Sequence, residues 1–288
     1  MARKHTKRKH PGKGRIQIVS PKNPGVARIN FTATEGSART VEGTFADLIR
    51  DGHDHPLQWV NNLHADPKDN RAAFLLGRGW SATLEKLKYI AAVGISVMAV
   101  NDYPKDGPKP RYWCTGDPPH YFSERVWTDA EVMKFCGLHN RNSLRPRDGA
   151  YEPARLVKDA PNTFFFHQAT DEMDVDHWLF HPFIAWGSTI GCEGGPKQLY
   201  AHGAARSSML IGLKLLWFLG YRRVYLIGCD CAGHAHPAPE YWNTIFHLMR
   251  ELAPGFKRWG FHVVQTNDAA HLRCFDFMDF DDALKEAA

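Results

Sequence analysis

From Ala72 onward, short apolar runs alternate with longer segments in which apolar residues recur every three or four positions. "AAFLLG" reads as a buried strand ended by glycine, because a run this short and this apolar suits a strand covered on both faces. "ATLEKLKYIAAV" places Leu84, Leu87, Ile90 and Ala91 on one face of a helix. "GISVMAVND" and "PRYWCTGDPP" read as a second and a third strand, and in "WTDAEVMKFCGL" Thr128 is positioned to cap a short helix. "NTFFFHQ" reads as a fourth strand, and the stretch from Gln168 to His202, rich in Trp, His and Gly, as loop or lid. "HGAARSSMLIGLKLLWFLGYRRVYLIGCD" then predicts a long helix stopped by Gly220 and a strand from Arg223 to Gly228. A helix from Glu240 to Leu252, a final strand in "GFHVVQTN" and a short closing helix in "FDDALKEAA" complete the pattern. Such alternation predicts an α/β, Rossmann-like domain over residues 71–288, with a mainly parallel sheet and helices on both faces.

The first 70 residues follow a different rule. "RIQIVS" and "VARINFTAT" have strand character and Phe45 to Arg50 opens a short helix, so residues 16–70 read as an N-terminal extension. Residues 1–15 form a basic arm with seven Lys/Arg and no acid. The formal net charge of +5 sits there, because the remaining chain has 29 Lys/Arg against 31 Asp/Glu, a net of −2. Arg3 to Arg15 is either a sequence-independent, salt-sensitive contact with nucleic acid or a disordered, solvated terminus. No apolar run approaches the roughly 20 residues of a membrane span, and the basic start runs into Pro11 and Gly12 without a signal-peptide core. A soluble cytoplasmic protein is therefore expected, with its six cysteines reduced.

In an open parallel sheet, ligands bind beyond the carboxyl ends of the strands. The residues following the predicted strands are Gly77, Arg78, Gly79 and Ser81; Asn101 and Asp102; Gly116 and Asp117; His167 and Gln168; Gly228, Cys229, Asp230, His234 and His236; and Thr266, Asn267 and His271. Gly77-Arg78-Gly79-Trp80-Ser81 opens a helix. Its glycines and N–H groups suit a phosphate cradle, and they equally suit a tight turn. Asp117, between glycine and two prolines, suits a hydroxyl, base-edge or metal contact, or an Asx turn. Ser207 and Ser208 precede the longest helix, as donors to an anion or as ordinary helix-start residues. Cys229, Cys231, His234 and His236 lack the spacing of a structural zinc site, so no metal is expected there. Strand alternation would put both cysteines on one face, while Asp230 and the histidines suit ligand contact or acid–base work.

Several of these segments resemble one pattern. "FLLGRGWSATLEKL", "VMAVNDYP", "PRYWCTGDPP" and "ARSSMLIGLKLLWFLGYRRVYLIGCD" followed by "GHAH" resemble two related groups. These are the bacterial Rossmann-like sialyltransferases, and domain-of-unknown-function family 115 with its archaeal 6-hydroxymethylpterin diphosphokinases. The resemblance spans about Ala72 to Ala283. It departs from the pattern at Trp80, where proline is usual, and at Ala205-Arg206-Ser207-Ser208, where Thr-Ser-Gly is usual.

What the resemblance implies is a nucleotide- or nucleotide-sugar-dependent transferase, in first place a glycosyltransferase using a CMP- or UDP-sugar. Gly77, Arg78, Gly79 and Ser81 would hold the phosphates, and Asn101 and Asp117 the nucleoside or sugar. Ser207, Ser208, Asp230 and His234 would complete the binding set. The general base would be a histidine, with His236 and His181 as first choices and His167, His177 and His202 competing. The alternative is an ATP-dependent pyrophosphokinase of the pterin type, which needs Mg²⁺ on carboxylates such as Asp117 and Asp230. A third reading is a non-catalytic nucleic-acid-binding or assembly protein working through the basic arm.

Overall fold

The computed structural model describes residues 72–137, 140, 142–143, 156–166, 207–231 and 239–288 except Trp259, together with the backbone of five strands elsewhere. The described residues fall into two compact units, residues 1–56 with 180–182, and residues 57–179 with 183–288. In the first unit, β1 (Arg15–Ile18), β2 (Val26–Thr32) and β3 (Ala38–Thr44) form an antiparallel sheet in that order. The strands expected in "RIQIVS" and "VARINFTAT" are there, and β3 adds a third. Phe45 to Arg50 and the rest of the basic arm lie outside the described residues.

The second unit is built on an eight-stranded, wholly parallel sheet. In chain order its elements are β4 (Ala72–Leu76), α1 (Leu84–Ala92), β5 (Ser96–Val100), β6 (Tyr112–Thr115), α2 (Glu124–Thr128), β7 (Met133–Gly137) and β8 (Thr163–Phe166). A small parallel pair, β9 (Gln168–Ala169) with β10 (Ile184–Ala185), stands apart from that sheet. Then follow α3 (Ser208–Phe218), β11 (Arg223–Ile227), α4 (Pro239–Arg258), β12 (His262–Gln265), β13 (Asp276–Phe277) and α5 (Phe280–Ala287). The strand order is β13-β12-β11-β4-β5-β6-β7-β8. The chain fills the sheet outward from β4 in one direction, crosses back through α3, and fills it outward from β11 in the other. That is the doubly wound, Rossmann-like arrangement, and it puts its reversal point between β4 and β11.

The two sheet faces are read from strand alternation. Phe74 and Leu76 of β4, Trp113 of β6 and Tyr225 and Ile227 of β11 share a core with Leu87 and Ile90 of α1, Trp127 of α2 and Phe280 of α5. Leu75, Val100 and Cys114 point the other way, onto Gly212 of α3. There a Cβ would come 2.6 Å from Leu75, so the glycine sets how closely α3 lies on the sheet. The helix is apolar all round because it is covered all round. Even Lys214 is buried, and burial pushes its amine well below the ordinary lysine range. Gly220, at φ +89°, ends it as expected. The Tyr221 N–H donates to the Leu216 carbonyl and the Gly220 N–H to that of Trp217, both at 3.0 Å, which closes the helix in a Schellman turn.

Three expectations need correction. Thr128 ends a helix rather than starting one, its hydroxyl donating back to the Glu124 carbonyl at 3.2 Å. The segment after it is strand β7, not helix. Val132, Phe135 and Cys136 have helical spacing, yet the segment equally suits a short strand covered on both faces, and the open edge of β6 decided between the two by offering a ladder. Lys134 is accommodated inside that strand because its ammonium donates to the carbonyls of Asp129, Val132 (2.9 Å) and Pro161 (2.8 Å). Helix α4 runs past Leu252 to Arg258, through Pro254. Strand β12 is not last, since the exposed pair Asp276–Phe277 adds β13 at the edge. Among the described residues, no helix is long and apolar enough to cross a membrane.

Candidate functional site

The turn after β4 and the turn after β11 meet at the reversal point, and they meet very closely. The Gly77 N–H donates to the Ile227 carbonyl (2.8 Å) and the Gly79 N–H to that of Gly228 (2.6 Å). Ser81 completes the seam. Its N–H donates to Asp230 Oδ2 at 2.9 Å, its hydroxyl donates to Asp230 Oδ1 at 2.5 Å, and the same Oγ accepts the Gly228 N–H at 2.9 Å. Asn267, following β12, donates Nδ2 to Asp230 Oδ1 at 2.9 Å. Ser81, Asp230 and Asn267 are all buried. A Cβ on Gly77 would stand 2.9 Å from the Gly228 carbonyl carbon, and one on Gly79 only 2.6 Å from its oxygen.

This geometry separates the two readings of the opening glycine turn. The glycines permit close approach of one loop to another, and the N–H groups of Gly77, Gly79 and Ser81 are spent on that neighbour. Ser81 and Asp230, expected as a phosphate donor and as a ligand or metal carboxylate, are bonded here to each other as an interloop clamp. A buried carboxylate is tolerated there because three donors converge on it.

The solvent side of the same turn is different. A cavity of about 470 Å³ opens beside it, lined by Gly77, Arg78, Gly79 and Ala82, by Asp102, Tyr103, Pro104 and Lys105 after β5, and by Ser123 and Arg125 at the start of α2. Arg78, Lys105 and Arg125 bring three cations against the single carboxylate of Asp102. The Arg125 guanidinium donates to the Tyr103 carbonyl, lies 3.5 Å from Asp102 Oδ1, and stacks on the Tyr103 ring at 4.4 Å from its centroid. Burial raises the Tyr103 phenol pKa, and the Arg125 charge opposes that rise. Among the described residues the buried Ser123 hydroxyl has no hydrogen-bond partner, although it occupies an N-cap position. An unpartnered buried hydroxyl is uncommon and calls for an explanation.

Asn101 and Asp117 lie one and two strands further along the same edge. Asn101 adopts φ +63° and accepts the Thr115 hydroxyl at 2.9 Å. That hydroxyl oxygen also accepts the Asp117 N–H at 2.9 Å, and the Asp117 carbonyl accepts Asn140 Nδ2 at 3.2 Å. The Asp117 backbone is thus held from both sides, while its half-buried side chain is not among the cavity's lining residues. Ser207 is the buried N-cap of α3, its hydroxyl making no capping bond, and Ser208 is the first helical residue. Neither lines the cavity. His181, His234 and His236, with His167, His177 and His202, lie outside the described residues. Cys229 follows the end of β11, not its ladder, and Cys231 adopts φ +52°, so strand alternation does not govern the pair. The Cys229 thiol is buried and contacts the Leu75 carbonyl at 3.7 Å, and desolvation raises its pKa. Among the described residues, no three His, Cys, Asp or Glu side chains gather as a metal site.

Sequence reasoning missed Lys105, Ser123 and Arg125. Ser123 directly before "ERVW" is a helix-start signal that would have placed α2 earlier and Arg125 on its first turn. Lys105 has no comparable signal. Fold and site together define an α/β Rossmann-like domain with a cationic cleft beside the reversal point of its sheet. No protein-family model matches the chain, and no curated protein or solved structure matches it either.

Proposed function

We propose that this protein is a transferase that binds a nucleotide or nucleotide-sugar, with glycosyl transfer from a CMP- or UDP-sugar as its chemistry. The observation that carries the reading is the cleft: three cations and an unpartnered hydroxyl converge on a cavity at the carboxyl edge, next to the strand-order reversal. A phosphate or diphosphate matches that charge, and Arg78 and Arg125 supply forked donors suited to it. The transfer step itself rests on the sequence resemblance. In the pyrophosphokinase alternative, Asp230 no longer serves Mg²⁺, because both its oxygens are committed to Ser81 and Asn267. Asp102 and Asp117 are then the candidate carboxylates near the cleft among the described residues.

Calorimetric titration with CMP, UDP and ATP, followed by product analysis with CMP-sugars, UDP-sugars and labelled ATP, tests the assignment. Arg78→Ala is expected to weaken nucleotide binding by about 1–3 kcal/mol, the scale of a charged hydrogen bond. Unchanged affinity in a folded variant removes the cleft from the reading. Asp117→Asn is expected to leave stability within about 1 kcal/mol, as for other partly exposed sites, and to lower turnover about tenfold or more through lost positioning. Normal turnover with lowered stability would make Asp117 a structural residue.

A further inference from the structure

A second, larger cavity lies away from the cleft, between α4, the start of β12 and the loop from His271 to Asp276. Its volume is about 670 Å³, within the range of small-molecule sites. One wall is a single stripe of α4: Phe246, Arg250, Ala253, Pro254 and Lys257 recur at helical spacing and all line it. The floor is aromatic. Phe256 and Phe261 are buried and meet edge to face at 5.3 Å, and Phe275 lies parallel to Phe256, 5° between planes at 6.2 Å. The rim is cationic. Arg250, Lys257 and Arg273 are joined by His262 and His271, against one carboxylate, Asp276, which Lys257 approaches at 3.7 Å.

Two further features mark the walls. Pro254 has no N–H, so the Arg250 carbonyl has no helical donor on this side. The loop wall is anchored at its base, because the His271 N–H donates to the Asp230 carbonyl at 3.0 Å and Asn267 donates to the Asp230 carboxylate. An anchored wall needs little ordering when a ligand arrives. An aromatic floor beside Arg and Lys side chains suits a ligand that is planar at one end and negative at the other.

We propose that this cavity is a binding site for a small planar aromatic anion, the ring seated against the partly exposed Phe275 and the anionic group held by Arg250 and Arg273. The inference is independent of the cleft and of the transferase reading. Cys274 lines the same cavity and serves as the reporter. Its thiol is pushed up to about 11 by burial, against the opposing charge of Arg250, so its labelling is slow and easily followed.

The experiment measures maleimide labelling of Cys274 in the full chain by peptide mass spectrometry. The probes are adenosine 5′-monophosphate, indole-3-acetate and inorganic phosphate. At about ten times its dissociation constant, a ligand in the cavity slows labelling about tenfold by mass action. At least one of the two aromatic anions is expected to do so, with phosphate far weaker; which one succeeds distinguishes a phosphate-bearing from a carboxylate-bearing ligand. Arg250→Ala and Arg273→Ala, both at exposed positions, should each raise the protecting concentration about tenfold, while Arg78→Ala leaves it unchanged. Circular dichroism confirms that each variant is folded. No protection by either aromatic anion, equal protection by phosphate alone, or protection indifferent to both arginine variants overturns the proposal.

Discussion

Asp230→Ala is expected to lower the stability of this chain by about 4 kcal/mol in denaturant titration, near the upper end for single substitutions. The carboxylate is fully buried and accepts from three groups on two other loops: the Ser81 N–H, the Ser81 hydroxyl and the Asn267 amide. Removing it orphans those donors in a closed site, and each buried unsatisfied donor costs about 1–3 kcal/mol. Water entering the new space would recover part of that sum, which is why the expected total lies below it. Ser81→Ala removes one donor and the acceptor of the Gly228 N–H but leaves the carboxylate its other partners, so its loss should be the smaller of the two. A cost under about 1 kcal/mol for Asp230→Ala would mean that packing and the backbone hydrogen bonds from Gly77 and Gly79 suffice to hold the two turns together.

Gly79→Ala is the second large effect, expected at about 3 kcal/mol, at the upper end for overpacking. The added Cβ would meet the Gly228 oxygen at 2.6 Å and the Asp230 carboxyl carbon at 2.8 Å. Both are fixed, one by the backbone of the β11 turn and the other by the hydrogen bonds of the clamp, so neither can yield as a flexible side chain would. Gly94→Ala supplies the comparison. Its Cβ meets nothing within 4 Å, but the residue sits at φ +74°. Its cost should therefore be the left-handed backbone penalty alone, about 1–2 kcal/mol. Gly79 itself is not in the left-handed region, so a loss there no larger than at Gly94 would show that the two turns can move apart to admit a methyl group.

If the cleft holds a nucleotide as proposed, its affinity and the clamp are linked through this turn. Arg78 stands between Gly77 and Gly79, so its placement at the cleft depends on the seam behind it. A clamp variant that still folds should therefore bind nucleotide less well although no ligand-facing side chain has changed.

Local pattern was enough to read most of the parallel sheet. Runs such as "AAFLL" and "RVYLI" are apolar on both faces because both faces are covered, and Gly220 stops α3 because only the residue without a Cβ takes φ +89° readily. Where two periodicities fit, as in "EVMKFCG", the chain itself was ambiguous, and pairing with β6 resolved it. The gathering of polar and glycine residues after nearly every strand was also legible. Their division of labour was not. Ser81 and Asp230 are 149 residues apart, and no local signal tells a serine that opens a helix whether it will face a ligand or a buried carboxylate. Arg78, Lys105 and Arg125 come from three separate connections, and only the strand order brings them around one cavity. Sequence by itself determined most of the strands and helices, β7 being the exception, because propensity and burial act over a few residues. Tertiary structure alone decided which polar groups became clamp and which became cleft, because that depends on contacts between turns that the chain does not place next to one another.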